Sequence, residues 1–160
     1  MKSEIFTRRT RIEAPAAEVF AWHALPGALE KLTPPWERVR VVQSGGGIRD
    51  GAVVMLEIPV WPFHFRWTSV HQDYREGQSF TDVQTSGPFA YWKHVHSLEP
   101  LSEDSCVLQD RIEYRLPLGI VGRLVAGWWV RRKLERLFAY RHTVTARDIG
   151  ARRQIGARDE

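Results

Sequence analysis

The stretch from 120 to about 147 contains no proline, and its only internal helix breakers are Gly122 and Gly127. Within it Gly127, Val130, Leu134, Leu137, Arg141 and Val144 recur at steps of three and four, which puts them on one face of a helix. At 1.5 Å per residue, about 25 residues reach about 38 Å, enough to cross a whole sheet. A helix with one apolar face needs a partner layer, so the preceding residues must supply it.

Their pattern is that of short strands. Residues 4–13 read as an opening strand. Ala14-Pro15 starts a short helix over 15–24, because proline fits a first turn where its missing N–H is not needed. Leu25-Pro26-Gly27 ends it, and a second short helix over 27–32 stops at Pro34-Pro35. Strands are then predicted from Trp36 to Gln43 and over 51–58, 63–73, 79–85, 89–98 and 105–116. Ser44-Gly45-Gly46-Gly47, Pro59 with Pro62, Arg75-Glu76-Gly77-Gln78, Gly87-Pro88 and the 100–104 segment separate them. Short strands with regularly spaced turns favour an antiparallel sheet. The expected fold is α+β, in the order β-α-α-β6-α. A strongly bent sheet cannot close completely against one straight helix, and the gap would hold a ligand. Residues 1–148 read as a single domain and 149–160 as a loose basic tail.

With 160 residues, 43% hydrophobic and 26% charged, the chain is globular rather than disordered. No apolar run is long enough to span a bilayer, and the opening MKSEIFTRRTRIEAP has no secretory core. The single cysteine, Cys106, cannot form an internal disulfide. These features point to a reducing cytoplasm. The net charge of +4 gathers on Arg131, Arg132, Lys133, Arg136 and Arg141, and on Arg147, Arg152, Arg153 and Arg158. A solvated face is the ordinary meaning, and peripheral contact with a membrane surface through the basic helix is the second. Nucleic-acid binding is not expected, since the charge is not interleaved with exposed aromatics. Seven Trp, seven Phe and four Tyr are the more unusual feature. Large rings beside a few polar groups suit a cavity wall.

Side chains two apart on a strand share a face. Trp92, His94 and His96 therefore point one way. On the next strand Cys106, Leu108, Asp110, Ile112 and Tyr114 form the apolar face, and Val107, Gln109, Arg111, Glu113 and Arg115 the wetter one. Pairing through the 100–104 turn predicts Leu98 opposite Cys106, His96 opposite Leu108, His94 opposite Asp110 and Trp92 opposite Ile112. That register joins the apolar faces and sets an imidazole against a carboxylate. Asp82 and Gln84 are expected beside the same group. A His–Asp pair in a dry pocket could move a proton or bond a ligand carbonyl or phenol. The alternative is a self-satisfied network that fixes register. His94 and His96 with Asp82 or Asp110 could also supply three metal ligands, but there is no second cysteine and no HExxH, and no metal is expected. On the 63–73 strand Trp67, Ser69 and His71 read as inward. His23 reads as a cap or surface residue, Arg141 as snorkelling near the helix end or else reaching a ligand carboxylate or an inward Asp, and Trp128 and Trp129 as core and rim, chiefly packing. Gly45-Gly46-Gly47 is no phosphate loop, since no Lys-Ser/Thr follows and no helix opens there.

Several segments together carry a resemblance: Ile12-Glu13-Ala14-Pro15 with Val19-Phe20-Ala21-Trp22-His23; Leu32-Thr33-Pro34-Pro35-Trp36; Phe80-Thr81-Asp82-Val83-Gln84 leading to Gly87-Pro88-Phe89, Trp92, His94 and His96; and Asp110 through Gly119. The chain resembles the START-related SRPBCC, or helix-grip, superfamily over residues 3 to about 147, in its polyketide cyclase/dehydrase-like bacterial branch. The resemblance implies a curved antiparallel sheet wrapped around a long C-terminal helix. It also implies binding or transport of a hydrophobic small molecule, such as a lipid, quinone or polyketide-like compound, in an internal cavity. The alternative is a cyclase- or dehydratase-type enzyme using His94 and Asp110 as an acid/base pair. The expected lining is Trp67, Phe80, Asp82, Gln84, Trp92, His94, His96, Leu108, Asp110, Ile112, Tyr114, Leu134, Leu137 and Arg141. No cofactor is expected, and one fold hosts many functions.

Overall fold

The computed structural model describes residues 3–60 and 63–156. The elements follow the order β1 (Glu4–Ile12), α1 (Ala16–His23), α2 (Ala28–Lys31), β2 (Arg40–Gly45), β3 (Val53–Val60), β4 (Phe63–Arg75), β5 (Ser79–Ser86), β6 (Tyr91–Ser102), β7 (Ser105–Arg115) and α3 (Gly119–Gly156). β2 to β7 form a meander, and β1 adds beside β7, giving one seven-stranded sheet in the order β1-β7-β6-β5-β4-β3-β2. All pairings are antiparallel. The Pro15 break starts α1 as expected, and Gly27 turns the chain into α2 at φ 81, a left-handed conformation that glycine adopts without strain.

The period-two pattern of β7 is visible in its burial. Cys106, Leu108, Asp110, Ile112 and Tyr114 are buried, and the intervening residues are half-buried. Two apolar clusters lie beneath the sheet. One joins Val19, Phe20 and Trp22 of α1 to Phe80, Leu98, Leu108, Val144 and Ile149. The other joins Phe6, Trp92, Ile112 and Tyr114 to Val130, Leu134 and Phe138 of α3. Each fully buried aromatic or aliphatic side chain contributes about 1.5–3 kcal/mol of transfer free energy.

Three expectations need correction. First, β6 and β7 pair two residues out of the predicted register: Leu98 faces Leu108, His96 faces Asp110, His94 faces Ile112 and Trp92 faces Tyr114. Both strands run on to a tight tip at Glu103 and Asp104, with a bulge between Pro100 and Ser102. Residues 100–104, expected wholly as a turn, are therefore mostly strand. A slip of two preserves which face each side chain occupies. Second, of the tail expected over 149–160, residues 149–156 are helical, and 157–160 lie outside the described residues. α3 continues to Gly156, with Ile149 only 1% exposed in the first cluster. Arg153 there reaches Glu18 at 3.1 Å and Asp104 at 3.2 Å. Gly150 weakens the helix by about 1 kcal/mol relative to Ala, too little to end it once Ile149 is docked. Third, neither Trp128 nor Trp129 is a core residue: they are 73% and 57% exposed, with Trp129 on the rim of the cavity. The buried face of α3 runs through Val130, Leu134, Phe138, His142, Thr145 and Ile149, so Phe138 and His142, rather than Leu137 and Arg141, form its centre. At the start of α3, Gly122 leaves room for the carbonyl of Pro117, which any side chain there would strike.

Candidate functional site

The inward faces of β4, β5, β6 and β7 converge on a buried polar cluster. β6 supplies His94 and His96, β5 supplies Asp82, β4 supplies His71 and β7 supplies Asp110. α3 adds His142 from the other side. His94 Nε2 donates to Asp110 Oδ1 at 2.7 Å, and His142 Nε2 donates to Asp110 Oδ2 at 2.6 Å. The hydroxyl of Thr10 on β1 lies 2.7 Å from His142 Nδ1, so the Asp110 carboxylate is held from the back. His96 lies between the two carboxylates. Its Nε2 donates to Asp82 Oδ2 at 3.1 Å, while its Nδ1 sits 2.7 Å from Asp110 Oδ1 but out of line for a hydrogen bond. His71 Nε2 stands 2.8 Å from Asp82 Oδ1. The His96 ring stacks on Phe80 with centroids 4.1 Å apart.

The charge distribution follows from this geometry. Burial disfavours the Asp82 and Asp110 carboxylates, but the surrounding imidazoles outweigh it and hold both well below the usual carboxylate range. For His96 burial again opposes charge, and Asp110 and Asp82 overcome it, bringing the group up to about 9. His94 goes the other way, to about 4, through burial and then the charge on His96, despite its bond to Asp110. His23 is likewise lowered to about 4 by burial and by His96.

The cluster forms one wall of a cavity of about 1000 Å³ between the sheet and α3. Of the residues expected to line it, Trp67, Phe80, Asp82, Trp92, His94, His96, Leu134, Leu137 and Arg141 do so. Ser69 and His71 also face in. The others lie elsewhere. Leu108, Ile112 and Tyr114 are buried under α3, which lies across β1 and β7 and covers the inner face of that edge. Asp110 is 3% exposed and stands behind the two histidines of β6 rather than on the wall. Gln84 braces the β5–β6 turn, with Nε2 donating to the Phe89 carbonyl at 2.8 Å.

Two further placements differ from expectation. His23 faces the cavity, its Nδ1 2.8 Å from the Val19 carbonyl oxygen and its ring 6.2 Å from that of His96. Arg141 does not snorkel at a helix end, because α3 extends well past it. Its Nε donates to the Leu32 carbonyl at 3.2 Å, and its guanidinium carbon lies 5.2 Å from the Phe138 ring centroid. Burial lowers its pKa, against the pull of Asp110, Asp82 and Glu37.

Sequence reasoning missed His142, Thr10 and the apolar wall of Val54, Leu56 and Ile58 on β3. The signal for His142 was its place four residues after Phe138 and three before Thr145, which shifts the helical stripe by one. For β3 it was the parity of Val54, Leu56 and Ile58, which matches that of Trp67 and Ser69 through direct cross-strand partners.

A curved antiparallel sheet gripping a long C-terminal helix, with an apolar hollow and one polar wall between them, defines a helix-grip protein of the START-like kind. The family model for polyketide cyclase / dehydrase and lipid transport matches residues 12–138, and the chain belongs to that family. Solved structures agree on the fold. The protein TTHA0849 from Thermus thermophilus superposes with a TM-score of 0.71 at 15% identity, over 92% of this chain and 98% of that one. A START superfamily protein from Mycobacterium smegmatis gives 0.67 at 13% identity, over 94% and 99%. The Zhui aromatase/cyclase from Streptomyces sp. R1128 gives 0.63 at 19% identity, over 96% of each chain. No curated protein matches the chain by sequence. No helix among the described residues is long and apolar enough to cross a membrane.

Proposed function

We propose that the protein binds and carries a hydrophobic small molecule, of lipid, quinone or polyketide type, in the cavity between sheet and α3. The observation that carries this reading is the hollow itself: about 1000 Å³, walled by aliphatic and aromatic side chains with polar groups gathered on one side. A site of this size suits a drug-sized or larger apolar ligand. In this reading Trp67, Phe80, Trp92, Leu134 and Leu137 enclose the apolar body, and Asp82, His94, His96 and Arg141 meet its polar end. Organic extraction of the purified protein, followed by mass spectrometry, tests it. A stoichiometric apolar compound is expected, and a protein that yields none and takes up none from a lipid extract contradicts it.

The rim supports a membrane-facing delivery step in the cytoplasm. Leu118, Val121, Leu124, Val125, Trp128 and Trp129 are exposed at the start of α3, and the basic residues Arg131, Arg132 and Lys133 follow them directly. Apolar side chains beside positive charge suit an anionic lipid surface. The second reading, an acid/base enzyme of the cyclase or dehydratase type, is favoured by one observation. His94 lines the cavity and is backed by Asp110, which fixes its tautomer. For such an enzyme His94→Gln abolishes turnover of a polyketide-like substrate and spares its binding. Loss of binding and stability alone would make the pair structural.

A further inference from the structure

We propose that Asp82, His94 and His96 form a binding site for one divalent transition-metal ion of the zinc type, open on one side to the cavity. One ligand atom from each of these residues lies within 4.8 Å of those from the other two. Asp82 Oδ2 is 3.1 Å from His96 Nε2 and 3.6 Å from His94 Nδ1. Zinc holds nitrogen and oxygen ligands at about 2.0–2.2 Å, which puts neighbouring ligand atoms about 3.4 Å apart in a tetrahedral set. The two separations from Asp82 therefore already match a coordination shell, and the two histidine nitrogens lie within 4.8 Å of each other.

The surroundings of these residues carry the argument further. A metal-binding histidine characteristically gives its second nitrogen to a carboxylate, which fixes the tautomer and aims the free lone pair. His94 does so, with Nε2 donating to Asp110 Oδ1 at 2.7 Å. His96 Nδ1 lies at the same 2.7 Å from that oxygen. The ligand carboxylate is backed in turn, since Asp82 Oδ1 stands 2.8 Å from His71 Nε2. Asp110 is itself anchored by His142. His94 and Asp82 thus each have the atom opposite the ligand atom held by a partner, while His96 Nδ1 sits beside Asp110 without a hydrogen bond. His94 Nδ1 is the ring nitrogen turned toward Asp82, and with Nε2 carrying the proton its lone pair is free for a ligand. Among the described residues that atom makes no hydrogen bond: Asp82 Oδ2 at 3.6 Å is beyond reach.

Two imidazoles and one carboxylate leave a coordination position free, and all three residues line the hollow. Such a set is of the catalytic rather than the structural kind. Its free position would take water or a carbonyl, enolate or phenolate oxygen of the cavity ligand and polarise it. That last role rests on the ligand-binding reading above, whereas metal occupancy does not. The expectation of a metal-free chain leaned on missing local motifs. Ligands spread over two strands have no HExxH-like signature, because the sheet register brings them together.

The test is titration of chelator-treated protein, kept folded throughout, with Co²⁺, whose visible bands report coordination, followed by displacement with Zn²⁺ and calorimetry. One Co²⁺ per chain is expected, displaced by one Zn²⁺. Asp82→Asn and His96→Gln should each weaken Co²⁺ binding at least about 100-fold, and Asp110→Asn about 10- to 100-fold. Melting curves of the metal-free variants establish that each is folded. A folded wild-type protein that shows no stoichiometric Co²⁺ spectrum overturns the proposal, with or without foldable variants. So does a folded Asp82→Asn that binds Co²⁺ as tightly as wild type. Uptake of an apolar fluorescent probe by the metal-free protein reports the cavity reading independently, so the two ideas fail separately.

Discussion

Replacing Asp110 with Asn keeps the shape of the side chain and removes its charge, which makes it a sharp probe of the buried cluster. The carboxylate has three imidazole nitrogens at 2.6–2.7 Å: His142 Nε2, His94 Nε2 and His96 Nδ1. An amide has one accepting oxygen, and its NH₂ must face a ring N–H. One charge-assisted bond, worth about 1.5–3 kcal/mol, is lost, and at least one buried donor is left unmet at about 1–3 kcal/mol. The sum agrees with the roughly 3–5 kcal/mol measured when one partner of a buried ion pair is removed. For a chain of this size that lowers Tm by roughly 6–20 °C, at about 2–4 °C per kcal/mol. The assay is urea unfolding of metal-free protein followed by tryptophan fluorescence, with Gln109→Ala, on the opposite face of β7, as the surface control expected within about 0.5 kcal/mol. His142→Gln should be non-additive with Asp110→Asn by about 0.5–3 kcal/mol. A loss below about 1 kcal/mol for Asp110→Asn would refute the reasoning that this carboxylate organises the site.

Three further outcomes are expected. Ile149→Ala should cost about 2–5 kcal/mol in urea unfolding, because the helix continues through a buried residue where a frayed tail would lose nothing. Trp128→Glu with Trp129→Glu should reduce sedimentation with anionic vesicles and change stability by about 0.5 kcal/mol or less, since both rings are exposed; unchanged vesicle binding removes the rim from the delivery step. Tyr114 is pushed up to about 12 by burial and by its bond to Glu4. Its folded value lies above the unfolded one, so its contribution to stability is full below about pH 10 and fades as pH rises toward the folded value. Absorbance of wild type minus Tyr114→Phe should therefore show no phenolate at pH 10, and a phenolate signal there contradicts it.

Much of the fold was legible because its elements are local. The alternation along β7, the breaks at Pro15 and Pro34-Pro35, and the proline-free run of α3 each follow from a few neighbouring residues. The inward parity of Trp92, His94, His96 and Asp82 was readable for the same reason. What failed was long-range. The register of β6 on β7 depends on a bulge between Pro100 and Ser102 that no periodicity announces. Which residues of β7 reach the cavity depends on where α3 lies, and it lies over Leu108, Ile112 and Tyr114. His142 was missed because a stripe counted from Gly127 through Leu137 runs one residue off the face that packs. The end of α3 was misplaced because Gly150 and the arginines after it suggest fraying, whereas Ile149 and the Arg153 pairs to Glu18 and Asp104 hold the segment down.

The most direct measurement is an equilibrium titration of wild type and Leu134→Trp with an apolar naphthalene-type fluorescent probe, with folding of both checked by circular dichroism. Leu134 lies on the cavity wall at the middle of α3, and an indole there takes up space a ligand would use. Saturable one-to-one binding by wild type, lost or at least about tenfold weaker in the folded variant, is the predicted result. Equal binding by both proteins, or none by wild type, would contradict the claim that this hollow is where the molecule does its work.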